Sequence, residues 1–303
     1  MPELPEVETV RRGLLSGVCN REVSAIFLRR PDLRFPLPTS LKSLVGQTFV
    51  TVRRRAKYLL VDIDDGSVML IHLGMSGRWT IIPPGDAGQA VALPRTTNGG
   101  QKSAYGALTG FGGKHDHVEI QFRDGTIMIY TDPRRFGFID HFPRHTEHAH
   151  PRLKILGPEP LVDWSPRQLA KDLRHRKKAI KLALLDQSIV VGVGNIYACE
   201  ALFRAGISPL TDASTLVRKN GQPTTRLSRL VDAIKAVLSD AIAAGGSSLN
   251  DFSHTDGTLG YFSHQFGVYD REGSRCSKPN CKDKVRRFTQ QNRSTFHCEK
   301  CQT

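Results

Sequence analysis

Residues 48–73, TFVTVRRRAKYLLVDIDDGSVMLIHL, decide what the first half of the chain builds. TFVTV, YLLVDI and VMLIHL are short runs of β-branched and apolar residues, and Asp65-Gly66 separates the last two. Such runs read as strands, and Asp-Gly between them reads as a hairpin turn. VSAIFL (23–28), VEIQF (118–122) and TIMIY (126–130) repeat the pattern, with Asp124-Gly125 between the last two. The expected product is an antiparallel β-sandwich.

Upstream the period changes. Val7, Val10 and Leu14 share one helical face, and Glu6 and Glu8 fall in the first turn, where the helix dipole favours anions. One short helix is expected, packed on the sandwich. Residues 83–113 are rich in Gly, Pro, Ser and Thr without periodicity, and read as a long insertion between strands.

Downstream of about residue 165 the chain turns helical. Ser165-Pro166 is an N-cap followed by Pro at N1, and Leu169, Leu173, Ile180 and Leu184 extend a helical stripe from it. A second helix is expected over about 195–205, stopped by Gly206 and Pro209. A third is expected over about 225–244, with Leu227, Leu230, Val231, Ile234, Leu238 and Ile242 on one side and Gly245-Gly246 at its end. The fold class is α+β. Residues 1–145 form the sandwich domain, 146–162 a linker, 163–265 the helical domain and 266–303 a cysteine-rich tail.

In that tail, Cys276 and Cys281 form one pair and Cys298 and Cys301 another, sixteen residues on. Four thiolates suit tetrahedral zinc at about 2.3 Å. So short a segment buries little core, so one structural zinc ion has to supply its folding energy. KDKVRRFTQQNRSTF between the pairs alternates bulky and polar residues and carries Lys282, Lys284, Arg286, Arg287 and Arg293, as a β-hairpin laid along phosphates would. Cys19 and Cys199 read as packed thiols.

Lys and Arg number 43 against 29 Asp and Glu, a formal charge of +14, which points to a polyanionic partner, nucleic acid before a membrane surface. No apolar run approaches the roughly 18 residues of a membrane span. Six cysteines without a signal peptide argue for a reducing compartment.

A binding module has no use for MPELPE. With Met1 removed, Pro2 carries a secondary amine, and α-amines titrate near pH 8, so a useful fraction is neutral and nucleophilic. An amine makes a Schiff base with a carbonyl carbon, and Glu3 stands beside it to move a proton.

MPELPEVETVRRG, RRAKYLL (54–60), IHLGMSG (71–77), KHDHV (114–118), YTDPRRFG (130–137), LGPEPL (156–161), VVGVGNIYACEALF (190–203) and RSTFHCEKCQ (293–302) together resemble the bacterial formamidopyrimidine-DNA glycosylases, over nearly the whole chain and in order. The 83–113 insertion and the four-residue spacing of the first cysteine pair depart from the pattern. The resemblance implies an N-terminal β-sandwich, a helix–two-turn–helix domain and a β-hairpin zinc finger, with DNA between the domains. It implies a bifunctional enzyme, DNA glycosylase and abasic-site lyase, that removes 8-oxoguanine and formamidopyrimidines from duplex DNA. The expected partner is double-stranded DNA with damaged bases; the expected state is a cytoplasmic, nucleoid-associated monomer.

The resemblance also assigns roles. Pro2 is the nucleophile at sugar C1′, Glu3 the acid that helps open the deoxyribose, Lys57 a proton donor in β-elimination and Arg293 the residue of δ-elimination. His115 and Arg176 are DNA contacts, Asn195 a phosphate contact at a helix start whose amides are open to an anion, and Lys181 a lysine that handles 8-oxoguanine. Met75, Arg134 and Phe136 fill the space left by the flipped base. Cys276, Cys281, Cys298 and Cys301 hold the metal. Two rivals stay open: an endonuclease VIII-like enzyme for oxidised pyrimidines, and a non-catalytic zinc DNA-binding protein. PELPE rather than PEGPE speaks against the first.

Overall fold

The computed structural model describes residues 1–85, 113–247, 255 and 261–303; most of the expected 83–113 insertion lies outside them. The chain divides into two compact units. The first comprises Met1–Pro2, Glu6–His150 and Gly245–Gly260; the second comprises Glu3–Pro5, Pro151–Ala244 and Tyr261–Thr303. Among the described residues no helix is long and apolar enough to cross a membrane.

The first unit is built on eight antiparallel strands: β1 (Arg21–Leu28), β2 (Thr48–Arg55), β3 (Tyr58–Ile63), β4 (Ser67–His72), β5 (Arg78–Ile82), β6 (Asp116–Phe122), β7 (Ile127–Thr131) and β8 (Phe138–Pro143). Their order is β5-β7-β6-β1-β2-β3-β4-β8. Strand β1 joins two ladders. Arg21 and Glu22 pair with β2, the rest pairs with β6, and the register shifts between Val23 and Ala25. The irregularity lets the sheet fold into two layers. Both layers feed one core: Val52, Leu59, Val61, Met69 and Ile71 from one side, Trp79, Val118, Ile120, Phe122, Met128 and Tyr130 from the other. Phe49 and Phe122 meet edge to face at 5.3 Å. Helix α1 (Leu4–Val18) adds Val7, Val10 and Leu14, each at most 1% exposed, to the same core. Burying each of these side chains stabilises the unit by about 1.5–3 kcal/mol.

Strands β5 and β8 were not expected from composition. They are the two ends of the strand order, and β8 (FIDHFP) carries Asp140, His141 and Pro143, residues that an edge strand tolerates.

The second unit holds α2 (Pro166–Leu173), α3 (Ile180–Leu184), α4 (Asn195–Ala205), α5 (Thr225–Ala243) and a hairpin of β9 (Arg286–Gln290) and β10 (Arg293–His297). Ser165 closes a capping box with Gln168 at the start of α2. Gly206 ends α4 at φ 65°, a left-handed cap that costs glycine little. Gln291 and Asn292, φ 44° and 60°, turn β9 into β10, the type I′ signature.

The stripe from Leu169 to Leu184 does not form one helix. Helix α2 stops at Leu173 and α3 restarts at Ile180. Between them Arg174–Lys178 offer nothing apolar to bury. The backbone bonds outward instead: Ser214 N to Arg176 O at 3.1 Å, Ala213 N to Lys178 O at 3.0 Å and Ile180 N to Thr211 O at 2.7 Å.

Candidate active site and metal centre

Two loops of the first unit carry Met75, Arg134 and Phe136: residues 73–77 between β4 and β5, and 132–137 between β7 and β8. Asp132, fully buried, binds them together. Its Oδ1 accepts from Ser76 Oγ at 2.6 Å and its Oδ2 from Gly137 N at 2.7 Å. Ser76 Oγ in turn accepts from Arg134 N at 3.2 Å. A buried carboxylate without such donors would cost several kcal/mol. The backbones also touch: a Cβ on Gly74, whose φ is 66°, would lie 2.4 Å from the Phe136 carbonyl carbon. At the rim Phe136 is 45% exposed, and the Arg134 guanidinium sits 5.1 Å from its ring. Met75 is half-buried. Leu33, Arg34, Arg134, Arg135 and Phe136 line an open concavity of about 430 Å³. Sequence reasoning missed Asp132 and Ser76; the available signal was an acid flanked by strand and Pro in TDPRRFG.

His117 is buried against the Asp132 carbonyl, Nε2 to O 2.8 Å, and burial pulls its imidazole below the ordinary histidine value. His115 is half-buried and accepts Asp132 N at its carbonyl, 3.0 Å. Among the described residues neither joins a metal-ligating cluster.

Lys57 is not a solvated strand residue. It occupies the two-residue β2–β3 turn with Ala56 and is 6% exposed. Ala56 adopts φ 55°, a region that disfavours a side chain, and Arg54 Nη1 donates to its carbonyl at 3.1 Å. Pro2 is buried, and Met1 before it is 47% exposed.

In the second unit the N-terminus of α4 has no side-chain cap of its own. Glu3, 3% exposed, supplies one. Its Oε2 accepts from Gly194 N at 2.9 Å and Tyr197 N at 3.4 Å, its Oε1 from Ile196 N at 3.0 Å. An anion at a helix start is favoured by dipole and orphan amides together. The glycines of GVGN make room: a Cβ on Gly194 would lie 2.2 Å from Glu3 Cδ, and one on Gly192 2.5 Å from Leu4 Cδ1. The expectation that these amides are open to a phosphate is therefore corrected. An internal carboxylate holds them. The Asn195 side chain also turns inward, Nδ2 to Ser294 O at 2.9 Å.

Lys181 has no exposed surface. Its Nζ donates to Thr295 Oγ1 at 2.6 Å and Ser294 O at 3.3 Å. Burial, with the Arg293 charge adding to it, pulls the ammonium below the ordinary lysine value. Arg293 itself is exposed at the start of β10. Arg176 is half-exposed, with Nε donating to Asp172 O at 2.9 Å and Nη1 3.6 Å from Asp186. Glu200, another buried acid that the sequence reading passed over, accepts Gly267, Val268 and Tyr269 N at 2.8, 3.0 and 2.7 Å. An acid inside the apolar run ACEALF was its signal.

The ligand atoms of Cys276, Cys281, Cys298 and Cys301 all lie within 4.8 Å of one another. Cys276 and Cys301 sulfurs are 3.8 Å apart, as are those of Cys281 and Cys298. A tetrahedron with metal–sulfur bonds of about 2.3 Å has edges of about 3.8 Å, so the four fit a thiolate-bound ion. None is in a disulfide. Cys199 is packed beside them in the core of the tail, and burial pushes its thiol up to about 11.

A folded-over antiparallel sheet, a helix–two-turn–helix unit and a four-cysteine hairpin define a class of two-unit proteins with a cysteine-cluster tail able to take a metal ion. Residues 1–139 match the formamidopyrimidine-DNA glycosylase N-terminal domain, and residues 156–253 match the formamidopyrimidine-DNA glycosylase H2TH domain. The chain is 47% identical over 311 residues to the formamidopyrimidine-DNA glycosylase of Rhodopseudomonas palustris strain HaA2 and 48% over 307 residues to that of Rhizobium etli strain CIAT 652, with full coverage of both chains in each pair. The Lactococcus lactis Fpg in complex with abasic-site DNA superposes with a TM-score of 0.81 at 30% identity, over 99% of each chain. The wild-type L. lactis Fpg with oxidised-pyrimidine DNA gives 0.80 at 31%, over all of both chains. The chain belongs to the formamidopyrimidine-DNA glycosylase family.

Proposed function

We propose that this protein excises oxidised purines, 8-oxoguanine and formamidopyrimidines, from duplex DNA and then cuts the strand at the resulting abasic site. The observation that carries the reading is the holding of Glu3, the neighbour of Pro2, by three backbone amides at the start of α4. An end that only frays has no reason to be so held.

Once Met1 is removed, the Pro2 amine attacks C1′, and the base leaves with the glycosidic bond pair. Glu3 delivers a proton to the ring oxygen as the sugar opens to the iminium. Lys57 moves a proton in the first elimination, which breaks the C3′–O3′ bond. Arg293 meets the phosphate released in the second. The loops tied by Asp132 support the wedge role of Met75, Arg134 and Phe136. His115 and Arg176 contact the DNA backbone. Cys276, Cys281, Cys298 and Cys301 would hold a zinc ion, which would supply folding energy to the tail rather than chemistry on the substrate. Residues 1–145 carry the nucleophile and the wedge, 146–162 connect, 163–265 bind DNA and 266–303 present Arg293. The enzyme acts as a monomer on DNA in the bacterial cytoplasm, a placing supported by its bacterial relatives.

Borohydride trapping on a duplex with one 8-oxoguanine tests the reading. A covalent adduct mapped to Pro2 is expected. The same protein with an uncleaved extension before Pro2 binds but gives none, because an amide has no lone pair to give. An adduct from the blocked protein, mapped to Lys57, would reject Pro2 as nucleophile. A second reading, excision of oxidised pyrimidines by the same chemistry, draws on the L. lactis complex with oxidised-pyrimidine DNA. A duplex with such a base, run in parallel, ranks the two.

A further inference from the structure

Two residues given separate roles by resemblance, Lys181 and Asn195, converge on one carbonyl beside a third, Arg293. Ser294 O accepts Asn195 Nδ2 at 2.9 Å and Lys181 Nζ at 3.3 Å. The two donors come from different helices, α4 and α3, and Ser294 follows Arg293 directly in β10. Lys181 takes a second grip one residue on, at Thr295 Oγ1, 2.6 Å away. Thr295, also without exposed surface, donates its own hydroxyl hydrogen bond to Gln290 Oε1 at 3.0 Å, and Gln290 is the cross-strand partner of Arg293. The strand that bears Arg293 is thus held from below by a chain of hydrogen bonds ending in a buried cation.

We propose that Lys181 and Asn195 are positioning residues for Arg293: they fix the Ser294 carbonyl and so aim the exposed guanidinium at the phosphate that departs last. This rests on the proposed function. In that step the C4′ proton leaves, its bond pair becomes a C4′–C5′ double bond, and the C5′–O5′ bond breaks with its pair on the phosphate oxygen. Arg293 faces that developing charge and exchanges no proton. A positively charged group placed for a transition state loses most of its effect when displaced by an ångström. A lysine without exposed surface acts on DNA only through what it holds.

The test is product partition in the full-length, metal-loaded protein, on duplexes holding 8-oxoguanine, a formamidopyrimidine or a preformed abasic site. The readout is the ratio of 3′-phosphate ends to unsaturated-aldehyde ends. Lys181→Met and Asn195→Asp are expected to shift the ratio on the order of tenfold toward the aldehyde on all three substrates, within the up to 10²-fold that misplacement costs. Thr295→Val, which removes the hydroxyl under Lys181, shifts it in the same direction, and Thr295→Ser restores it. The Thr295 pair keeps the test open if the charge-removing variants fold poorly. An unchanged partition in Thr295→Val and Asn195→Asp overturns the proposal. So does a Lys181→Met loss confined to 8-oxoguanine, which would mean direct contact with the lesion. A wild-type protein that leaves aldehyde ends only, or does not cut, fails the proposed function instead.

Discussion

Glu3 caps helix α4 at Gly194: the carboxylate of the third residue accepts the amide that opens the helix, 2.9 Å away and 191 residues on. The same carboxylate has two duties, one to the fold and one to the proposed chemistry, and substitution separates them.

Glu3→Gln keeps the shape and one acceptor oxygen but removes the charge. Glycosylase turnover is expected to fall about 10² to 10⁴-fold, the usual contribution of a positioned acid–base group. Trapping on a preformed abasic site survives, because no base has to leave. Stability falls by about 1 kcal/mol, as for a weakened helix cap. Single-turnover excision beside denaturant melts reads both effects; equal loss on the lesion and the abasic site would deny Glu3 a role in base departure.

Chelation is expected to release about one zinc ion per chain and to abolish duplex binding, since metal binding supplies the folding energy of so small a segment. Metal analysis with a fluorescence binding assay decides. An apo protein that binds as tightly would leave the tail's role elsewhere.

Ser76→Ala removes the hydroxyl that serves both Asp132 and Arg134 N. A buried carboxylate that loses one donor costs about 1–3 kcal/mol. Lesion excision should fall with it, while binding to undamaged duplex stays, because the loops proposed to fill the stack are loosened and the proposed phosphate contacts are not. Urea melts paired with both assays check this.

His117 ties stability to pH. Its imidazole lies below the ordinary value because burial penalises the charged form. The unfolded chain therefore binds a proton first as pH falls. The stabilising contribution is complete above the unfolded value of about 6.5 and is lost as pH drops through the lower folded value. Denaturant midpoints between about pH 7 and 5 should decline, and less steeply in His117→Gln.

Duplex affinity should fall steeply with salt. If about five phosphates are neutralised, log K against log salt has a slope of roughly −5, and Arg176→Ala reduces it by about one without changing lesion preference. Titrations at several salt concentrations measure it; a slope near zero would contradict a phosphate-tracking surface.

Much of this was legible beforehand, for identifiable reasons. Val7, Val10 and Leu14, or Leu227, Leu230 and Ile234, repeat at helical spacing because each faces one core, and such periodicity survives in a string of letters. The thiolate spacing was equally open, since the ligands flank a single hairpin. What composition hid was long-range. The break between α2 and α3 depends on residues 211–214 offering backbone partners. The occupation of α4's amides depends on a residue from the far end of the chain. The convergence of Lys181 and Asn195 on Ser294 joins three segments, none of which signals the others.

Glu3 is translated about 190 residues before the helix that receives it. At synthesis rates of roughly 5–20 residues per second, Glu3 waits some 10–40 s for the amides that receive it. In the finished fold Pro2 is buried and Glu3 is held, while Met1 keeps 47% of its surface exposed. The capped end thus forms only once both of its sides exist. A chain truncated before Gly194 cannot form the capped end at all, because every amide that holds Glu3 lies at or beyond that residue.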